Sequence, residues 1–115
     1  MNMYLLLIVL YREDLLDEVL SALVEMEITG AAVLDGTSME RVLSEDVPIF
    51  AGLWQATGGT GHTKTIVAVL PDRGLLDPLV LHFKEIDIDF TKPEIGKLFL
   101  IPVDFYLGPT PGERL

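Results

Sequence analysis

The sequence repeats itself once. Leu10, Leu15, Leu16, Asp17 and Leu23 recur sixty positions later as Leu70, Leu75, Leu76, Asp77 and Phe83, with no gap in the spacing. Each copy reads as an apolar run (Tyr4 to Leu10; Thr65 to Leu70), a polar break, then apolar residues at helical spacing. Leu15, Leu16, Val19, Leu20, Leu23 and Val24 form the first stripe, and Leu75, Leu76, Leu79, Val80 and Phe83 repeat it. Glu13, Asp14, Asp17 and Glu18 crowd the start of the first helix, where the helix dipole favours negative charge, and this acidic face reads as solvated surface. Pro78 has to lie in the first turn of the second helix, because deeper in it the ring would remove a hydrogen bond and clash with the preceding turn.

After the first helix, Thr29-Gly30 leads into a short strand, Ala31 to Leu34; after the second, Ile86 to Phe90 and the turn Pro93-Glu94-Ile95-Gly96 lead into Lys97 to Pro102. The order β-α-β-β-α-β predicts an α+β domain, a ferredoxin-like split antiparallel sheet with two helices on one face. With 115 residues, the chain suffices for one compact core and not for two. Between the halves runs a connection of about thirty residues, Asp35 to Thr63, with a helical turn expected at Ser38 to Leu43. Its glycine-rich end makes Gln55 to Thr63 the stretch expected to be least ordered. The apolar residues Ile49, Phe50, Ala51, Leu53 and Trp54 before it either pack beneath the sheet edge or meet a partner.

A sheet with helices on one face only should alternate apolar and polar residues, because its open face meets water. These strands do not alternate. Leu5, Leu7 and Val9 point one way and Leu6, Ile8 and Leu10 the other; Ile66, Ala68 and Leu70 oppose Val67 and Val69, and Leu98 and Leu100 oppose Phe99 and Ile101. With the helices spent on the first face, the cheapest cover for the second is another copy of the same sheet, so a homo-oligomer is expected.

Composition removes several classes of function. Eight Lys and Arg against 18 Asp and Glu leave a net charge of −10 with no basic run, which excludes nucleic acid and anionic membrane as natural partners. No cysteine is present, so disulfides, thiolate nucleophiles and thiolate metal sites are all absent. The apolar stretch Tyr4 to Tyr11 is too short to span a bilayer and lacks the flanks of a signal peptide, so no membrane insertion is expected and the cytoplasm is the expected compartment.

Ile28-Thr29-Gly30 after the first helix, Lys64 to Asp72 in the third strand and Gly96-Lys97-Leu98-Phe99-Leu100-Ile101-Pro102-Val103-Asp104 are similar to the corresponding stretches of PII-type nitrogen-regulatory signalling proteins. The resemblance runs from about Tyr4 to Leu107 and implies a PII-like domain over residues 1–108, with a T-loop-like connection at 37–63 and a C-terminal tail at 109–115. It implies a homotrimer whose sheets face a central axis, in agreement with the strand argument. It further implies a regulator and not an enzyme, with no required cofactor. A small effector, an adenine nucleotide (ADP, AMP or ATP) or another anion, would bind in inter-subunit clefts, and the mobile loop would control a partner enzyme, channel or transporter. Lys97 falls on the family's phosphate-binding lysine, Gly96 on the glycine before it, and Arg41, at the end of Ser38-Met39-Glu40-Arg41, on the arginine at the base of the loop. These three are the candidate binding residues. The family's two tail arginines correspond to positions near Gly108 and Thr110, with Arg114 the nearby cation, and Glu94 stands where a glycine is expected. Fewer cations suit a diphosphate, a monophosphate or a different small anion better.

Other motifs carry less. His62 and His82 have no spacing that links either to a second metal ligand, so no metal site is expected. Gly58 to Lys64 lacks the order of a phosphate-binding loop and leads into a strand, not a helix. Ser44-Glu45-Asp46 reads as solvated loop acids. The alternative to a regulator is a small ferredoxin-like oligomeric enzyme with a site between sheet and loop and His62 or His82 as proton carrier. No catalytic constellation supports it in the sequence.

Overall fold

The computed structural model describes residues 3–46, 49 and 61–111. Along the chain these form β1 (Met3–Leu10), a 3₁₀ turn (Glu13–Leu15), α1 (Leu16–Glu25), β2 (Ala32–Thr37), α2 (Met39–Asp46), β3 (His62–Leu70), a second 3₁₀ turn (Arg73–Leu75), α3 (Leu76–Glu85) and β4 (Gly96–Val103). The strands make one four-stranded sheet in the order β2-β3-β1-β4, with every neighbouring pair antiparallel. This is an α+β architecture with the strand order of a ferredoxin-like split sheet, as the sequence pattern predicts.

The sixty-residue repeat is kept in backbone detail. Both 3₁₀ turns and both helices begin and end sixty positions apart. Both helices also stop in the same way. Glu27 and Asp87 take left-handed conformations with φ of 61° and 67°. Their amides bond back to Val24 and Lys84, and those of Ile28 and Ile88 to Leu23 and Phe83 at 2.8 Å. These are the paired bonds of a Schellman ending, closed by an apolar residue after the turn that returns to the helix. Ile28 and Ile88 are accordingly buried. Pro78 is the third residue of α3, where its missing N–H is not needed.

The core lies between the sheet and the pair α1 and α3. Leu6, Ile8 and Leu10 of β1 and Ile66, Ala68 and Leu70 of β3 meet Val19, Ala22 and Leu23 of α1 and Leu79 and Phe83 of α3. Phe83 also meets Phe90 edge to face, with ring centroids 5.5 Å apart. Burying one such side chain contributes roughly 1.5–3 kcal/mol.

The structure corrects the boundaries of the middle strands. The second strand, expected to end at Leu34, continues to Thr37, and the third begins at His62 inside the stretch expected to be least ordered. Asp35 pairs with Lys64, Gly36 with Thr63 and Thr37 with His62. The apolar pattern stops early because β2 is an edge strand, where polar residues meet water without loss of the ladder. The expected turn at Ser38 to Leu43 is the longer helix α2. Positions 55–60 of the stretch expected to be least ordered lie outside the described residues, as do Phe50, Ala51, Leu53, Trp54 and Arg114. Among the described residues no helix is long and apolar enough to cross a membrane.

Candidate functional site

Arg41 and Lys97 occupy opposite margins of the sheet. Lys97 is the second residue of β4, one edge strand, and pairs with Val9. Arg41 lies in the first turn of α2, which begins immediately beyond β2, the other edge strand. Two strands stand between those edges, so within one chain the two cations do not share a pocket.

Residues opposite one another in a ladder share a face. The face turned away from the core therefore carries Ala32 and Leu34 from β2, Thr65, Val67 and Val69 from β3, Met3, Leu5, Leu7 and Val9 from β1, and Lys97, Phe99, Ile101 and Val103 from β4. Leu5, Leu7, Val9, Val67 and Val69 are only half-buried, and Phe99 and Ile101 remain 45% and 42% exposed. Lys97 is the one charged side chain that this register brings to that face among the described residues. Its ammonium sits 5.9 Å from the centre of the Tyr11 ring, within range of a cation–π contact.

Gly96 adjoins Lys97 for a reason internal to the fold. Its φ of +147° is a conformation that residues with side chains rarely adopt. A Cβ there would also run into the carbonyl oxygen of Val9. The missing side chain lets β4 begin against β1, where Leu10 pairs with Gly96 and the Tyr11 amide bonds to the Ile95 carbonyl at 3.0 Å.

At the other edge, Ser38 caps α2: its hydroxyl accepts from the Arg41 amide at 3.2 Å, and its own amide donates to the Gly61 carbonyl at 2.8 Å. The cap fixes the helix start, and the partners of the Arg41 side chain include Glu45 and His62. Nε donates to Glu45 one turn on at 2.9 Å, the i+4 pairing available on a short helix. Nη1 lies 2.8 Å from His62 Nε2 at the start of β3. Nearby, Lys64 bridges to Asp35 across the β2–β3 ladder. The hydrogen bond and charge of Lys64 hold the Asp35 carboxyl below its usual range, and Asp35 in turn raises the Lys64 ammonium.

His82 belongs to a different surface. It lies between the two helices, with Nε2 2.7 Å from Glu25 on α1 and Nδ1 3.9 Å from Glu85 on its own helix. Asp17, Ser21 and Ile86 line the same shallow groove. Among the described residues no three His, Asp or Glu side chains are grouped to hold a metal ion.

Among the contacts that sequence reasoning missed are Arg41 with His62 and Lys97 with Tyr11. Both depend on strand register, which brings position 62 beside the residue after β2 and position 97 beside the end of β1. A signal was present in the second case, since a ring at the end of β1 and a cation at the start of β4 must meet once Leu10 is placed opposite Gly96. The chain matches no family model, and no curated protein matches it.

Proposed function

We propose that this chain is a PII-like regulatory protein that assembles as a homotrimer and binds a small anionic effector in the clefts between its subunits. The observation that supports this most is Lys97, among the described residues the one charged side chain on a largely apolar sheet face. An apolar face of this extent calls for a cover, and the described residues of a second copy bring to the same face no charge but their own lysine. A cation enclosed at such a joint is costly unless an anion meets it. The edge bearing Arg41 lies at the far side of the sheet, so a neighbouring copy can bring its Arg41 to this Lys97 where the same chain cannot.

In this reading Lys97 and Arg41 hold the phosphate of an adenine nucleotide, ADP or AMP being the better charge match, or another small anion. Gly96 keeps the backbone close at that point. The T-loop-like connection at 37–63 reports occupancy to a partner protein, and none of the three residues has a catalytic role.

Calorimetry tests the reading. A screen of AMP, ADP, ATP and inorganic phosphate should find a ligand for the wild type, and Lys97→Gln should weaken it by roughly tenfold, the loss expected from one charge-assisted hydrogen bond. Affinity retained within about twofold in the variant would exclude this cleft. Absence of binding by every anion in the screen would exclude the effector class.

A further inference from the structure

The contact between Arg41 and His62 constrains the protonation of the histidine. A guanidinium has no acceptor and keeps its proton throughout the accessible pH range, so Arg41 Nη1 donates and His62 Nε2 accepts. An imidazole accepts at Nε2 only when it is neutral and carries its single proton on Nδ1. A second proton turns the acceptor into a donor and places two cations against each other. Beside this contact, Arg41 is also held by Glu45 on α2, and Asp35 on β2, whose carboxyl feels the charge of His62, is paired with Lys64 on β3.

We propose that His62 is a further residue of the anion site and its proton switch. With the ring neutral, Arg41 is held against the start of β3, and α2 is latched to the sheet beside the backbone bond from Ser38 to Gly61. With the ring protonated the latch opens, and guanidinium and imidazolium stand side by side as a pair of donors for one anion. Proton binding and anion binding then favour each other, as any two linked ligands of one state must. The second half of this inference rests on Arg41 as an anion-binding residue; the latch itself does not.

The latch is tested first on the full chain without ligand. The sequence has two histidines, so ¹⁵N labelling of histidine with His62→Gln as the assignment control resolves both rings. At about pH 8 the His62 ring should carry its proton on Nδ1, and Arg41→Met should move it toward the Nε2 form. A ring protonated on Nε2 in the wild type overturns the latch. Hydrogen exchange at the Val42 amide, which bonds to the Ser38 carbonyl, reports opening of α2. Corrected for intrinsic rates, its protection should fall between about pH 8 and pH 5.5 in the wild type and stay level in His62→Gln, whose amide oxygen accepts at any pH. The same fall in both proteins overturns the proposal.

Sulfate, whose charge is constant over this range, then probes the anion site. Its affinity should rise about fivefold on acidification in the wild type and remain flat in His62→Gln. A latch that opens with no gain for sulfate refutes the place of His62 in the site. Weakened nucleotide binding by Lys97→Gln would show in the same samples that the cleft itself stands.

Discussion

Position 96 shows how a single hydrogen atom can carry an edge of the fold. A side chain there would meet the Val9 carbonyl and force a left-handed backbone on a residue that resists it. Gly96→Ala should therefore lower the unfolding free energy by about 2–4 kcal/mol, read from urea denaturation, with far-UV circular dichroism reporting the fold that remains. A loss under about 1 kcal/mol would mean that β4 can start in another way. The resemblance puts this glycine beside a bound effector, whereas the structure shows a reason internal to the fold, the close approach of the Val9 carbonyl. For that reason Lys97, whose side chain reaches out over Tyr11, is the cleaner probe of binding. Gly36 is a milder case of the same kind: a Cβ there would press on the Thr63 hydroxyl, a side chain that can turn.

At the scale of the element, the two helix endings carry strain that sequence changes can relieve. Glu27 and Asp87 occupy the left-handed position that glycine fills most easily, and each places an acid at the negative end of a helix dipole. Glu27→Gly and Asp87→Gly should each stabilise the domain by about 0.5–1 kcal/mol, and the two together should be additive, because they terminate separate helices. Thermal melts of the single and double variants check this. Unchanged or lowered midpoints would show that the extra freedom of glycine in the unfolded chain outweighs the relief. These endings also mark what the sequence made legible. The repeat exposed both strand–helix units, because burial against one sheet imposes the same spacing twice. It concealed the endings and the strand extensions. Asp35, Gly36 and Thr37 look like loop, yet they pair with Lys64, Thr63 and His62, and an Asp–Lys bridge with a glycine facing a threonine holds that edge without apolar periodicity. The candidate cations were visible by resemblance, whereas their surroundings, His62 for Arg41 and Tyr11 for Lys97, follow only from register.

For the whole molecule, the decisive feature is the separation of charge from one broad face. In a chain with net charge −10, the described residues bring a single charged side chain, and that a lysine, to the sheet surface opposite the core. In the proposed homotrimer, copies of such a chain would repel at long range and meet through this face, so assembly should tighten as salt screens the acids. Phe99 is the residue on which to test the homotrimer. It lies on the open face of an edge strand and is 45% exposed in the single chain, so its replacement removes little from the core formed by Leu6, Ile8 and Phe83. Phe99→Asp would carry a charge into the proposed interface, where an unpaired carboxylate costs several kcal/mol per copy. The expected outcome is that the wild type sediments as a trimer at micromolar concentration, while Phe99→Asp sediments as a monomer with its circular dichroism and cooperative melt retained. If wild type and variant sediment alike, this face is not the one that copies share. If the wild type is itself a monomer, the clefts that would bring Arg41 of one copy to Lys97 of another do not form, and the regulatory reading falls with them.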